Sequence, residues 1–390
     1  MTKADARLIT QPQQLEALAA QLRDAPRVAF DTEAASFHKF VDRVYLIQVS
    51  SDRDTAVVDP LALKDLAPLG EILADPSIEV IFHDADYDLR SLDRDYGFRA
   101  RNLFDTRIAA QLLGEPGVGL SALLLKYFGV TLNKKYQRAD WSQRPLTPEM
   151  IDYAASDTTH LPALRDRLHE ELRLKDRLSW AQEEFARLEL LRWNGNVADP
   201  DIHMRLKGAR TLPRRGQMAL RALHAWRENK ARGLDRATFR VMQNETLVAV
   251  AQAMPADAEA LRKLPGITSN ALDRFGADLL EIVTRALTDP EEIPARRERT
   301  GRPRPDGEIE ARLERLKVMR NERAKELELE PGVLAANGAL ETVAWDSVGR
   351  SMGDPDDRAE LRKWQREALG EERIRAALQG PPPPPPAPAA

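Results

Sequence analysis

Two acids one residue apart close a short apolar run, Val28-Ala-Phe-Asp31-Thr-Glu33. Alternate residues of a strand share a face, so Asp31 and Glu33 project together from the end of a strand that reads as buried. Like charges held that close repel each other unless a cation lies between them. A solvated strand end explains such a pair when it stands alone, and two further acids make the chemistry more specific. Asp88 lies in Phe82-His83-Asp-Ala-Asp-Tyr-Asp88-Leu89, in the first turns of an expected helix that Leu89 and Leu92 turn toward the core. The nearby Asp84 simply complements the positive helix end, and Asp86 is expected in solvent. Tyr153 and Asp157 are one helical turn apart, on a face shared with Met150, Ala154 and Leu161. A carboxylate on an inward face is costly unless it is paired or metal-bound, and the Tyr153 phenol is the alternative partner.

The elements that must carry these residues follow from pattern. Leu15 to Leu22 reads as a short helix. Arg27–Asp31, Val44–Ser50 and Thr55–Asp59 read as an antiparallel meander, the second run being rich in β-branched and aromatic residues. Strands then alternate with helices: Leu66–Leu73 helical, Glu79–Phe82 a buried strand, and Asp84–Asp95, Thr106–Leu113 and Ser121–Phe128 helical. Thr147 suits an N-cap, Pro148 the first helical position and Glu149 the positive end, so one helix is expected from there to about Leu174. This order predicts a mixed α/β sheet with helices on its faces. The helical pattern continues from Asp176 to Trp193 and breaks at Asn194-Gly-Asn-Val-Ala-Asp-Pro200. Helices are expected over Met218–Lys230, Asn244–Ala253, Ala256–Lys263 and Ser269–Leu287, and another helical module over 308–378.

The expected organisation is therefore residues 1–175 as an α/β domain, 176–207 as a helical connector, 208–287 as an all-α domain, 288–307 as a Pro- and Arg-rich linker, 308–378 as a second helical domain and 379–390 as a polyproline tail. The 390 residues suit two or three domains, and the absence of cysteine excludes disulfides and thiolate zinc sites. The N-terminal residues lack the apolar core of a signal peptide, and no apolar run approaches a membrane span, so a soluble cytoplasmic protein is expected. Net charge is only −4, but it is unevenly spread: residues 1–175 hold 22 basic and 27 acidic side chains, and 208–287 hold 13 and 8. An acidic module followed by a basic one suits an enzyme that holds metal ions in one part and phosphates in another.

Taken together, Asp31-Thr-Glu33, Asp88 and Tyr153-x-x-x-Asp157 resemble the three exonuclease motifs of the DEDD superfamily, tyrosine branch. Asp152 stands where the other branch carries a catalytic histidine. Tyr45-Leu-Ile-Gln48, Phe104-Asp-Thr-Arg107 and Asp140-Trp-Ser-x-Arg-Pro-Leu146 are similar to the ribonuclease D family. Residues 208–287, with Arg221–Arg227 and Leu264-Pro-Gly-Ile267, resemble the helicase-and-RNaseD-C-terminal (HRDC) domain, and 308–378 a divergent second copy. The resemblance implies a ribonuclease-H-like five-stranded sheet followed by all-α HRDC domains. It implies 3′-5′ trimming of RNA, tRNA precursors among its substrates, with release of nucleoside 5′-monophosphates. The carboxylates suit hard cations, so Asp31, Glu33, Asp88 and Asp157 are expected to hold two divalent ions, Mg²⁺ or Mn²⁺, and Tyr153 to orient the attacking water. The residues alone leave open a DNA exonuclease and a silent RNA-binding scaffold. His38 and Lys39, in a loop that matches nothing residue by residue, receive no role.

Overall fold

The computed structural model describes residues 6–195, 199–288, 305–349 and 359–380. Most of the expected linker and all of 381–390 lie outside the described residues. Strands β1 (Arg7–Ile9), β2 (Arg27–Ala34), β3 (Val44–Ser50), β4 (Thr55–Val58), β5 (Glu79–Phe82) and β6 (Leu103–Asp105) form one sheet in the order β1-β4-β3-β2-β5-β6. The β2-β3-β4 meander is antiparallel as expected, and β1, β5 and β6 add parallel pairings at its sides. The sheet thus has six strands, not five. The two edge strands escape sequence reading because three residues are too few to show alternation.

Helices α1 (Pro12–Arg23), α2 (Ala67–Ala74), α3 (Asp86–Tyr96), α4 (Thr106–Leu113), α5 (Leu120–Phe128), α6 (Pro148–Thr159), α7 (Leu161–Leu174) and α8 (Leu178–Leu188) surround the sheet. Each buries one stripe; in α1 it is Leu15, Leu18, Ala19 and Leu22. The single helix expected over 148–174 is broken at His160. Pro162 has no N–H to offer the Thr158 carbonyl, and its ring crowds that turn. Asp84, expected in the next helix, instead takes φ +70° in the turn before α3.

Two helical modules follow. The first comprises α9 (Arg214–Leu234), α10 (Thr238–Val241), α11 (Asn244–Ala253), α12 (Ala258–Arg262) and α13 (Ser269–Thr288) and has its own core around Leu220, Leu223, Leu247 and Leu279. The second comprises α14 (Gly307–Glu326), α15 (Pro331–Leu334), α16 (Asn337–Asp346), α17 (Lys363–Leu369) and α18 (Glu371–Gln379). Their geometry repeats. In the first, buried Arg227 donates to the Met242 carbonyl at 3.2 Å and to Asn244 Oδ1 at 2.6 Å. In the second, buried Arg320 donates to the Ala335 carbonyl at 2.9 Å and to Asn337 Oδ1 at 2.8 Å.

The modules attach to the α/β part differently. The loop after β2 reaches the first module: Phe40 packs against its core, Lys39 pairs with Asp235 at 2.8 Å, and the Ala237 N–H donates to the His38 carbonyl at 3.2 Å. The second module shares an apolar cluster with α7 and α8. Trp180 stacks on Trp364 with ring centroids 5.1 Å apart. Glu183 accepts the Lys363 and Trp364 N–H groups, both at 2.9 Å, and so caps the start of α17 from another module.

Candidate active site

The site is built where β2 outruns its neighbour. β2 pairs with β5 only as far as Ala29, so Asp31 and Glu33 project beyond the point where that ladder stops. On the other side β3 continues, setting Gln48 opposite Asp31 and Leu46 opposite Glu33. Helix α6 lies over this face, tied down by a 2.7 Å hydrogen bond from Ser50 Oγ to Thr158 Oγ1. It begins where Thr147 Oγ1 accepts the Met150 N–H, with Pro148 in its first turn. These constraints bring Asp157 to the strand end, and one carboxylate oxygen from each of Asp31, Glu33 and Asp157 lies within 4.8 Å of the others.

Asp88 reaches the same place from α3 but faces Thr32, whose hydroxyl and N–H both donate to its carboxylate. It is buried and feels the Asp31 charge directly. Tyr153 sits one turn before Asp157, supported by Trp141, whose ring is 5.9 Å away and nearly parallel, and by Tyr136 edge-on at 5.9 Å. The structure thus gathers all five expected residues, with Asp88 set to one side of the other three acids.

The electrostatics are those of a cation site. Burial and the Asp157 charge push Asp31 up to about 8, against the Thr32 N–H that lowers it. Burial pushes Asp157 up to about 7. Glu33 is raised well above the carboxylate range by burial and then by the Asp31, Asp157 and Asp88 charges. Burial and the same negative field raise the Tyr153 phenol, which is therefore neutral at pH 7 and a hydrogen-bond donor. The donor set is all carboxylate oxygen, which fits a hard divalent ion. The side chain of Gln48, registered opposite Asp31, is fully buried and neither of its amide atoms has a hydrogen-bond partner. A buried polar group without a partner is expensive, and its position beside the acids marks this pocket as one shaped for a further polar occupant.

These shifts fix a pH dependence. A carboxyl whose pKa is higher folded than unfolded contributes stability that is fully present below its unfolded value near 4 and is lost as pH rises through the folded value. The expected result is that, in chelator, the Tm difference between wild type and Asp157→Asn grows in favour of the variant from pH 5 to pH 8. Mg²⁺ or Mn²⁺ should restore wild type at pH 8 and do little at pH 5. A thermal melt series would contradict the assignment if the two proteins tracked each other across that range.

Several residues that position the acids were quoted from the sequence without a role. Asp105 caps α4 through the Arg107 and Ile108 N–H groups and also accepts the Asp84 and Ala85 N–H groups, which fixes the turn that launches α3 and Asp88. Arg144 forks onto Asp59 at 2.6 and 2.7 Å and onto the Tyr45 carbonyl at 3.0 Å, anchoring the segment that carries Trp141. His83 is structural: its Nδ1 lies 2.9 Å from Thr106 Oγ1, which itself donates to the Phe82 carbonyl. Burial and the Arg107 charge lower His83 to about 4.

Comparison with known proteins agrees with this geometry. Residues 6–173 match the family model described as 3′-5′ exonuclease, and residues 217–283 match the HRDC domain. A ribonuclease D of Granulibacter bethesdensis is 33% identical over 377 residues, spanning 94% of this chain and 91% of the relative. A ribonuclease D of Escherichia coli K12 is 34% identical over 286 residues, 73% of this chain and 76% of the relative. The crystal structure of Escherichia coli RNase D, described as an exoribonuclease involved in structured RNA processing, superposes with TM-score 0.69 at 27% identity, covering 96% of this chain and 98% of that one. The catalytic core of RRP6 from Trypanosoma brucei gives TM-score 0.67 at 30% identity over 75% of this chain and 82% of that one. Among the described residues no helix is long and apolar enough to cross a membrane.

Proposed function

The chain belongs to the ribonuclease D family and is a 3′-5′ exoribonuclease, and from that premise we propose that it trims 3′ tails of structured RNA, tRNA precursors among them, with Asp31, Glu33, Asp88 and Asp157 as ligands of two divalent cations. The observation that carries this reading is the convergence of the half-buried Asp31, Glu33 and Asp157 carboxylates at one strand end. Bound there, Mg²⁺ or Mn²⁺ would supply an attacking water of lowered pKa and charge neutralisation at the leaving oxygen. Asp31, central on β2 and close enough to raise both Glu33 and Asp88, is suited to serve both ions. Glu33 and Asp157 complete one side, and Asp88, held by Thr32, the other. Tyr153, kept protonated by burial and by the surrounding acids, orients the water through its hydroxyl. The products are nucleoside 5′-monophosphates.

The helical modules supply affinity and placement. The net positive charge of 208–287 suits phosphate contacts, whose strength falls steeply with salt. The whole arrangement suits the reducing cytoplasm, since no part of it depends on cysteine. The decisive experiment incubates a 3′-extended tRNA, and a matched DNA strand, with the purified protein in Mg²⁺, Mn²⁺ or chelator. A ladder of single-nucleotide steps that needs the metal and is strongest on RNA is the expected outcome. Undiminished trimming in chelator would overturn the metal assignment.

A further inference from the structure

The loop after β2 sends its aromatic residues two ways. Phe40 enters the side of the first helical module, with the Arg232 guanidinium over its ring at 5.3 Å. Phe37 stays out, 45% exposed, and meets Phe239 of the module, 38% exposed, edge to face with centroids 6.1 Å apart. Such a pair is not a consequence of loose chain. The Arg240 guanidinium donates to the Phe37 carbonyl, the Ala237 N–H to the His38 carbonyl, and the His38 ring lies 3.0 Å from the Arg138 carbonyl. Left open to water, the two rings forgo the roughly 25 cal/mol that covering each square ångström of apolar surface would contribute. Here the backbone is fixed and the rings are presented.

The surroundings say what they are presented to. The Arg138 guanidinium lies 5.3 Å from the Phe37 ring centre. Among the described residues no carboxylate pairs with Arg138 or Arg240. The Lys135 ammonium lies 5.0 Å from the Tyr136 ring, and Tyr136 touches Tyr153. Tyr153 and Tyr136 thus pair beside the acids, Arg138, Phe37 and Phe239 form a second run that ends on the helical module, and the short segment from Tyr136 to Arg138 carries the chain from one to the other. Alternating rings and positive charge are what hold single-stranded nucleic acid without regard to sequence: bases stack on the rings and phosphates meet the cations.

We propose that Phe37 and Phe239 form a base-stacking step for the single-stranded 3′ tail of the RNA, built jointly by the catalytic part and the first helical module. This rests on the exoribonuclease reading and adds to it where the upstream nucleotides lie and which residue the module contributes. It also gives the module a direct part in binding, because Phe239 completes the step only when docked against Phe37.

The test uses the full chain and RNA whose 3′ tail carries the fluorescent base 2-aminopurine at successive positions, bound to an Asp157→Asn background so that the tail stays intact. Stacking is expected to quench the probe at a position upstream of the 3′ end. Phe37→Ala or Phe239→Ala should release that quenching and weaken binding by roughly 5- to 100-fold, the range for loss of one base stack. In the cleaving enzyme the same changes should raise KM, with kcat held, once the tail is long enough to reach the step. Phe37→Trp should retain the quench. Phe37→Leu and Phe239→Leu variants that match wild type would show that the rings only pack, and would overturn the proposal, as would absence of quenching at every position. A wild-type protein that releases no mononucleotide from RNA would instead defeat the exoribonuclease reading itself.

Discussion

Replacing Asp31 by Asn is expected to slow 3′ trimming by on the order of 10³-fold while leaving the protein folded. Metal-assisted stabilisation of charge is worth several kcal/mol, and about 1.4 kcal/mol is a factor of ten in rate. Asp31 sits among the other three acids: its own carboxyl is raised by burial and by Asp157, and it in turn raises Glu33 and Asp88. Asn keeps the shape and removes the charge, so metal binding is lost with the activity. In chelator the variant should melt no lower than wild type, because a repelling charge has been removed from a crowded acidic cluster. Tyr153→Phe is the informative partner. It should cost about 10²-fold in kcat, within the range for a positioned proton donor or acceptor, and keep Mn²⁺ affinity. Single-turnover rates and calorimetric metal titration separate the two outcomes. A Tyr153→Phe protein that loses metal as Asp31→Asn does would make the phenol part of the scaffold instead.

The second large effect belongs to a residue far from the chemistry. Arg177→Ala is expected to lower the stability of the whole protein by roughly 3–6 kcal/mol, taking 1.5–3 kcal/mol for each of its two hydrogen bonds from a charged donor. The Arg177 guanidinium is only 7% exposed and donates to the Leu112 carbonyl at 2.7 Å and the Leu327 carbonyl at 2.6 Å, joining the end of α4 to the end of α14. It also lies over Trp180, 5.4 Å from the ring centre. Truncation leaves the buried Leu112 carbonyl and the half-buried Leu327 carbonyl without this donor and strips the support from the Trp180–Trp364 stack. Gly114→Ala attacks the same joint from the other side. Gly114 has φ +79°, and a Cβ there would meet the Glu328 carbonyl oxygen at 1.9 Å. In a guanidinium melt both variants should unfold at lower denaturant, with the joint opening first, and limited proteolysis should then release the second helical module. A melt that coincides with wild type would show that the joint adds little to stability.

The acids were legible in the sequence because local geometry speaks for them. Asp31 and Glu33 share a strand face by a spacing of two, and Tyr153 and Asp157 share a helix face by a spacing of four. Thr147 and Pro148 announced the helix that carries the latter pair. What could not be read was how separate pieces hold one another. Thr32 supports Asp88 across 56 residues, and Asp105 fixes the turn before α3 from 20 residues away. Neither bond leaves a trace in local pattern. The loop holding His38, Lys39 and Phe40 matched nothing because its partner lies nearly two hundred residues downstream. Some signals were present and unused. Gln48 is a polar residue inside Val44-Tyr-Leu-Ile-Gln-Val, a run otherwise made for a core, and Pro162 marks the break at His160. The short edge strands carried no such mark.

The twin arginines of the helical modules, Arg227 and Arg320, are 93 residues apart, as are Asn244 and Asn337. The same offset carries Asp235 onto Glu328. Both follow the first long helix of their module at positive φ, +44° and +54°, and each grips a lysine of the catalytic part, Lys39 for one and Lys175 for the other. One corner of a repeated unit therefore serves as a common plug for two different sockets. Four residues past that corner the copies part company: one presents Phe239, the other Gly332. Exchanging just those short segments would transfer the aromatic tip without disturbing either plug.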